Sequence, residues 1–216
     1  MINISGLKFQ YSDSSFSLSI PNLKLPASKI ISLSGPSGSG KSTFLKLISG
    51  ELTPLSGEIN LDSVNVTALS SGKLRNFRLQ NLGIVYQKPS LIDWMSTKDN
   101  ILLPYRFTAQ AKELDTKINR ISEKLGIDKL LKRTAGQLSI GEQFRVSIVR
   151  ALAGSKKYIL ADEPTANLDE NLREKTIRFL IEYCRNNEIT LIIVSHNKTE
   201  IELTDLKLSS ENWVLA

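Results

Sequence analysis

The sequence has one cysteine, one histidine and few aromatic residues among its 216 positions, and these scarcities already exclude several classes of protein. Cys184 has no second thiol to pair with, and its apolar helical surroundings favour a packing role over a reactive one. No apolar run exceeds four residues, whereas a membrane-spanning helix needs roughly 20. The N-terminal segment lacks the basic and apolar stretches of a signal peptide. We therefore expect a soluble, intracellular protein without disulfides.

The overall composition is that of an ordinary globular protein, with 41% apolar and 23% charged residues. Glycine and proline show no period, which excludes collagen-like and low-complexity chains. The net charge of +6 leaves two interpretations, a nucleic-acid-binding patch or a solvated surface with a mild basic bias. Because the basic residues are scattered among acidic ones, the second is favoured and no nucleic-acid partner is expected.

Strand and helix patterns alternate along most of the chain. SFSLSI, KIISLS, SGEINLD, LGIVYQ, YILAD and TLIIVS are typical of strands. Helical patterns follow GPSGSGKST, cover 140–153, and continue after ANLD. Strands alternating with helices predict an α/β fold with a parallel sheet covered on both faces. The stretch at about 88–140 is helix-rich instead, so we predict one domain, 1–216, with a helical insertion in its α/β core.

Gly35–Ser42 fits the phosphate-binding pattern G-x-x-x-x-G-K-[ST]. It follows a strand and opens a helix, as that mechanism requires, because backbone N–H groups and the helix N-terminus then converge on phosphate oxygens. A Gly/Ser surface loop that binds nothing is the alternative, which this context disfavours. Lys41 is expected to reach the β- and γ-phosphates, and Ser42 to ligate Mg²⁺. The expected nucleotide contacts are Gly35, Pro36, Ser37, Gly38, Ser39, Gly40, Lys41, Ser42 and Thr43.

Four further polar residues follow the ends of predicted strands, where ligands of parallel sheets collect. Asp162 is placed to hold Mg²⁺, and Glu163 to act on an attacking water, although an acidic pair here is also a common helix cap. His196, otherwise a surface or core residue, is expected to contact the γ-phosphate or the water. Gln87 is a candidate Mg²⁺ ligand, and its spacing alone leaves that role open.

The order of GPSGSGKS, Gln87, LSIGE, YILADEP, ANLD and His196 resembles the nucleotide-binding subunit of ATP-binding cassette (ABC) proteins over nearly the whole chain. The resemblance implies a P-loop core with a parallel sheet, a small antiparallel β subdomain and an inserted α-helical subdomain. It also implies ATP hydrolysis with Mg²⁺, with Glu163 as general base. Two such subunits, identical or paralogous, would pack head to tail around two ATP molecules.

The resemblance also assigns roles outside the phosphate loop. Leu138–Glu142 is the signature segment, in which Ser139, Gly141 and Glu142 would contact the ATP of the other subunit. Asp169 belongs to the loop that crosses the dimer seam. Tyr11 lies where the family places an aromatic ring against adenine, although Phe9 and Phe16 are near.

The signature segment also contains a serine and a glutamate three residues apart, a spacing typical of helix N-termini. Ser139 and Glu142 stand at the spacing of a capping box, so a merely well-capped helix is an alternative. Ile140 replaces a glycine of the common form, and a β-branched residue cannot take glycine-only backbone angles without strain. We expect the ATP sandwich to form, with slow turnover. A glutamate at the last position occurs in the lipoprotein-releasing branch of the family.

The segment LGIVYQKPSLIDWMSTKDNILLP resembles the ATPases of the lipoprotein-releasing, macrolide-exporting and cell-division branch of the family. This resemblance implies a membrane partner with few transmembrane helices and a large outer domain, reached from the cytoplasmic face. A conventional transporter subunit and an ATP-dependent clamp with little turnover are the alternatives. The apolar residues near Gln87 either meet that partner or pack inside the subdomain. They are Leu91, Ile92, Trp94 and Met95.

Overall fold

The computed structural model describes residues 1–13, 15–106, 108 and 113–215. The strands are β1 (Ile2–Gln10), β2 (Ser17–Leu25), β3 (Ile30–Ser34), β4 (Ser56–Leu61), β5 (Val64–Asn65), β6 (Leu82–Val85), β7 (Tyr158–Asp162), β8 (Thr190–Val194) and β9 (Leu206–Ser209). The helices are α1 (Lys41–Ile48), α2 (Ser71–Asn81), α3 (Thr97–Leu102), α4 (Leu114–Lys124), α5 (Ile140–Leu152), α6 (Glu170–Asn186) and α7 (Lys198–Glu202). Short 3₁₀ helices cover Val66–Ala68, Leu103–Tyr105, Asp128–Leu130 and Ala135–Gln137.

A parallel sheet with the strand order β6-β7-β8-β3-β9 forms the centre of the protein. Every residue of β8 is buried, as are four of the five in β3 and in β7. Strands that are buried on both faces require continuous apolar runs, which explains sequences such as TLIIV. The predicted α/β class is confirmed.

A second, antiparallel sheet has the order β2-β1-β4-β5. In β2 the side chains of Leu18, Ile20, Leu23 and Leu25 are buried, and most residues between them are exposed. This sheet packs with α1 against one face of the parallel sheet, in a core that includes Phe44, Ile59 and Leu160. It is the small antiparallel β subdomain that the family resemblance implies.

The other face of the parallel sheet packs against α4, α5 and α6. Ile118, Ile121, Val149 and Ile193 belong to this second core. Cys184 is completely buried in it, and burial raises the pKa of its thiol to about 12. An inert packing role for the cysteine is therefore confirmed.

Between β6 and α5 the described residues form the helices α3 and α4, together with 3₁₀ helices and turns. The stretch TKDNILLPYRF, within the segment predicted to be helix-rich, is an α-helix only over Thr97–Leu102 and continues as a 3₁₀ turn. Pro104 explains the change, because it has no backbone N–H with which to continue the hydrogen bonds of the α-helix. Phe107, at the end of that prediction, lies outside the described residues. Within the described ranges, no helix is both long and apolar enough to cross a bilayer.

Candidate active site

The strand ends β3, β7 and β8 meet at one edge of the parallel sheet, around a cavity of about 460 Å³. Most of the predicted site residues line it, although they come from segments that are far apart in sequence. They are Tyr11, Ser37, Gly38, Gly40, Lys41, Ser42, Thr43, Gln87, Asp162, Glu163 and His196. The order of the strands thus brings residues from separate sequence motifs to one site.

The phosphate loop runs from β3 directly into α1, and its residues Gly35, Pro36 and Ser39 do not line the cavity. Gly40 has a φ of 94°, and a Cβ there would lie 2.6 Å from Cζ of Phe16, so only glycine fits. Lys41 is 7% exposed, and its ammonium group donates to the carbonyl oxygens of Gly35 and Pro36, at 2.9 and 2.8 Å. A cation is therefore held at the centre of the loop, which is suited to phosphate.

Ser42 and Asp162 both line the cavity, with the Ser42 side chain close to the Asp162 carboxyl group. Burial raises the pKa of the Asp162 carboxyl group, and this is the largest influence on it. A partly desolvated carboxylate beside a hydroxyl group and a neutral amide, that of Gln87, is a set of hard oxygen donors. Such a set suits Mg²⁺, which takes one or two protein ligands and completes its shell with phosphate oxygens and water.

Glu163 and His196 stand side by side at the ends of β7 and β8. The Glu163 N–H donates to the carbonyl oxygen of Val194 at 3.1 Å, which fixes the two strand ends together. Glu163 has a φ of 48°, a left-handed conformation that few non-glycine residues adopt. Its Oε1 lies 3.5 Å from Nε2 of His196, and both side chains line the cavity. The alternative role of Glu163 as a helix cap does not apply, because α6 begins at Glu170 and its N-cap is Asp169.

Tyr11 and Phe16 line the cavity, whereas Phe9 does not. Phe9 is 6% exposed and packs edge-to-face on Tyr11, with ring centroids 4.8 Å apart. The Tyr11 hydroxyl is hydrogen-bonded to Oγ1 of Thr43 at 3.1 Å, a contact that anchors the ring to α1. Of the three aromatic candidates for adenine, two therefore remain.

The signature segment lies outside this cavity. Ser139 caps α5, its N–H donates to Oε2 of Glu142 at 2.8 Å, and the Glu142 N–H donates to the Ser139 hydroxyl at 3.3 Å. The predicted capping box is therefore present. The backbone N–H of Ser139 lowers the pKa of the Glu142 carboxyl group. Gly141 lies between them at the same helix end, and none of the three residues lines the cavity of their own phosphate loop.

Ile140 corrects one expectation. It is the first residue of α5 and is not among the described non-glycine residues with positive φ. The expected backbone strain is therefore absent, because a helical position never needed glycine-only angles. The side chain is instead 50% exposed at the tip of the helix.

Asp169 lies beside the signature segment, also on the exterior. Its Oδ1 accepts the N–H of Leu172 at 3.0 Å and so caps α6. The preceding Leu168 packs against Gly141, where a Cβ would come within 3.0 Å of its Cδ2. The loop Thr165–Asp169, here called the seam loop, and the signature segment thus form one surface patch.

Sequence reasoning missed a buried cluster behind the site, made of Thr165, Ser195 and Glu200. Glu200 lies in KTEIE, which has the composition of a solvated helix end. No local signal distinguishes it from an exposed charge.

The ABC transporter family model matches residues 18–166, well over half of the chain. This chain belongs to the ABC transporter family. Among curated relatives, the phosphonates import ATP-binding protein PhnC of Wolinella succinogenes is 34% identical over 206 residues, covering 91% of this chain and 74% of the relative. The lipoprotein-releasing system ATP-binding protein LolD of Legionella pneumophila is 37% identical over 176 residues, covering 81% of this chain and 78% of LolD.

The solved dimeric structure of the ABC cassette MJ0796 matches with a TM-score of 0.88 and 28% identity, covering 97% of this chain and 94% of the other. The same cassette in a post-hydrolysis state, bound to ADP and Pi, matches with a TM-score of 0.85 and 27% identity. This ABC cassette is accordingly an ATP-binding subunit and an ATPase. Its family works by dimerising and acting with membrane subunits.

Proposed function

We propose that two copies of this cassette, or one copy and a paralogue, close head to tail around two Mg·ATP and drive a separate membrane subunit. One observation carries the proposal. The phosphate loop, Asp162, Glu163 and His196 share one cavity, while Ser139 and Gly141 lie outside it on an exposed helix end. A helix N-terminus is an anion site, so a second chain is needed to bring it to the ATP.

In the closed pair each residue has a defined task. Backbone N–H groups of the phosphate loop and the Lys41 ammonium bind the phosphates, and the Tyr11 ring packs against adenine. Ser42, Asp162 and Gln87 hold Mg²⁺, which when bound neutralises charge developing on the phosphate oxygens. Glu163 accepts a proton from the attacking water, and His196 orients the water and the γ-phosphate.

The partner we propose is a membrane protein with few helices and a large outer domain, of the kind that transmits ATP-driven closure across the membrane. The likeness of residues 82–104 to the lipoprotein-releasing branch supports this, as does the 37% identity to LolD. The cassette would then work at the cytoplasmic face of the membrane. A partner with many transmembrane helices would instead make it a conventional transporter subunit.

A groove of about 770 Å³ supports the position of that partner. It lies between α2, β6, the end of α5 and the 3₁₀ turn Leu103–Tyr105, and its lining includes Ser90, four residues before Trp94, which is 79% exposed. Four cationic side chains line it, and no acidic residue is among its described lining residues. The four are Arg75, Arg78, Arg150 and Lys156. An acidic amphipathic segment on the cytoplasmic side of the membrane subunit is complementary to this surface.

Complementation tests the head-to-tail pair. In a Glu163→Gln background, Lys41→Ala and Ser139→Arg chains should each retain little Mg·ATP alone, and the mixture should retain clearly more. Mixing creates one site with Lys41 from one chain and Ser139 from the other. If the two residues served the same site within one chain, mixing would restore nothing. Capture of the partner from solubilised membranes with the Glu163→Gln chain then identifies the membrane subunit.

The clamp alternative is tested by ATP turnover of the unchanged chain reassembled with the membrane subunit identified in this way. Negligible hydrolysis in that complex would support a clamp and contradict ATP-driven coupling. Capture of soluble proteins alone would contradict the membrane partner.

A further inference from the structure

A buried carboxyl group lies directly behind the active site. Glu200, in the short helix α7, is 3% exposed, and its two oxygens accept hydrogen bonds from two different segments. The Thr165 hydroxyl donates to Oε1, and the Ser195 hydroxyl donates to Oε2 at 2.6 Å. Within the described parts of the chain it has no ion-pair partner, so the two hydroxyl groups must compensate for its burial. The carboxyl group therefore depends on both segments being in place.

The first segment contains the seam loop, Thr165–Asp169. Thr165 is 3% exposed, and its carbonyl oxygen accepts the N–H of Leu168 at 3.1 Å. Arg173 holds the other end of the loop, because its Nη2 donates to the carbonyl oxygen of Leu168 at 3.1 Å. Movement of Thr165 is thus passed along a short, hydrogen-bonded loop to Asp169.

The second segment contains His196. Ser195 precedes it, is 4% exposed, and accepts the N–H of Asn197 at 3.0 Å. Ser195 and Asn197, the two residues that flank His196, are therefore joined by a hydrogen bond through the Ser195 hydroxyl group. Asn197 also holds Glu200 in place, because the Glu200 N–H donates to Oδ1 of Asn197 at 3.2 Å.

A small cavity of about 180 Å³ lies between the two segments, lined by Glu163, Thr165, Arg173, Ser195, His196 and Glu200. Because side chains do not fill this cavity, van der Waals packing transmits little displacement between the two segments. The hydrogen bonds of Glu200 are then the direct connection between them. We propose that Glu200 is a positioning residue that fastens the segment of His196 to the seam loop and so couples the two ATP sites of the closed pair. The inference rests on the proposed head-to-tail pair, in which His196 meets its own γ-phosphate and Asp169 meets the other chain.

The first test needs no dimer. His196 is the only histidine of the chain, so in protein made without a histidine tag its imidazole NMR signal is unambiguous. Thr165→Val, an isosteric change in the seam loop, should shift this signal when Glu200 is present. In a Glu200→Leu background the same change should leave it unshifted. An equal shift in both backgrounds would overturn the proposal, because the effect would then travel through Glu163.

The second test measures cooperativity between the sites. Glu200→Leu should lower the Hill coefficient for ATP towards 1 and reduce kcat at least about fivefold, with ATP affinity of the monomer unchanged. Glu200→Gln, which retains two polar atoms, should restore most of both. Glu202→Gln, an exposed change in the same helix, is the matched control. Equal effects from Glu202→Gln, or lost monomer affinity together with a lower melting temperature, would show only a role in folding.

The two tests separate this inference from the proposed pair. If Glu200→Leu does not fold, Thr165→Val and Ser195→Ala each remove one of the two bonds and should each lower the Hill coefficient. If the unchanged chain forms no ATP-dependent pair, the proposed function fails, while the NMR comparison still decides whether Glu200 links the two segments.

Discussion

Nε2 of His196 lies 3.5 Å from Oε1 of Glu163, so the two groups expected to act on water stand next to each other at the edge of the sheet. They come from different strands, and the hydrogen bond from the Glu163 N–H to Val194 holds those strands together. This geometry gives Glu163→Gln a clear outcome. The amide cannot accept the proton of the water, so hydrolysis should fall at least about 100-fold, while ATP binding persists.

Single-turnover hydrolysis and equilibrium binding measure these two quantities separately. His196→Ala is the comparison, since it should slow hydrolysis and leave Glu163 in place. A Glu163→Gln chain that hydrolyses ATP at the unchanged rate would show that another group is the base.

Asp162→Asn should stabilise the nucleotide-free chain and abolish Mg²⁺-dependent hydrolysis. Burial raises the pKa of this carboxyl group, so its ionised form opposes folding: the stability it contributes is lost as the pH rises through the raised pKa. A neutral amide of the same shape removes that opposition, and its oxygen can still accept from Ser42. The melting temperature at pH 7 should rise by a few degrees, and a fall would contradict this account.

Glu142→Gln should reveal the capping box through its pH dependence. The backbone N–H of Ser139 lowers the pKa of Glu142, so its contribution to stability is present above the ordinary glutamate value and is lost as the pH falls through the lowered one. The difference in unfolding free energy between the two chains should therefore be larger at pH 7 than at pH 3. A difference that is independent of pH would mean that the carboxylate charge does not contribute.

Ile140→Gly tests whether the signature segment is strained. Because Ile140 already has helical angles, glycine relieves nothing and lowers the unfolding free energy by up to about 1 kcal/mol. Chemical denaturation of the two chains measures this. A stabilised Ile140→Gly chain would restore the idea of strain. Turnover of the same variant shows separately whether the exposed side chain slows hydrolysis.

Trp94 and Met95 are adjacent but should respond differently to truncation. Trp94 is 79% exposed and Met95 7%, so only the first is available to a partner. Trp94→Ala should leave the melting temperature unchanged and weaken stimulation of the ATPase by the membrane subunit. Met95→Ala should destabilise the chain by about 2–5 kcal/mol. Loss of ATP binding together with coupling in Trp94→Ala would contradict the partner role.

The sequence by itself determined the phosphate loop, the α/β class and the capping box. Each depends on neighbours in the chain: Gly40 must have a left-handed backbone, the interior strands must be apolar throughout, and Ser139 reaches only as far as Glu142. Spacing of a few residues fixes such features, so they can be predicted before any packing is known.

Only the tertiary structure decided which distant residues meet. Tyr11 reaches Thr43, Ser42 reaches Asp162, and Glu200 joins Thr165 to Ser195, and none of these pairs is marked by local spacing. The strand order β7-β8-β3 brings the segments of the last two sets together, because parallel neighbours end at one edge of the sheet although long crossovers separate them in sequence, whereas Tyr11 follows β1 of the antiparallel sheet. Burial likewise separated Met95 from Trp94, since adjacent apolar residues differ only in what the fold places over them.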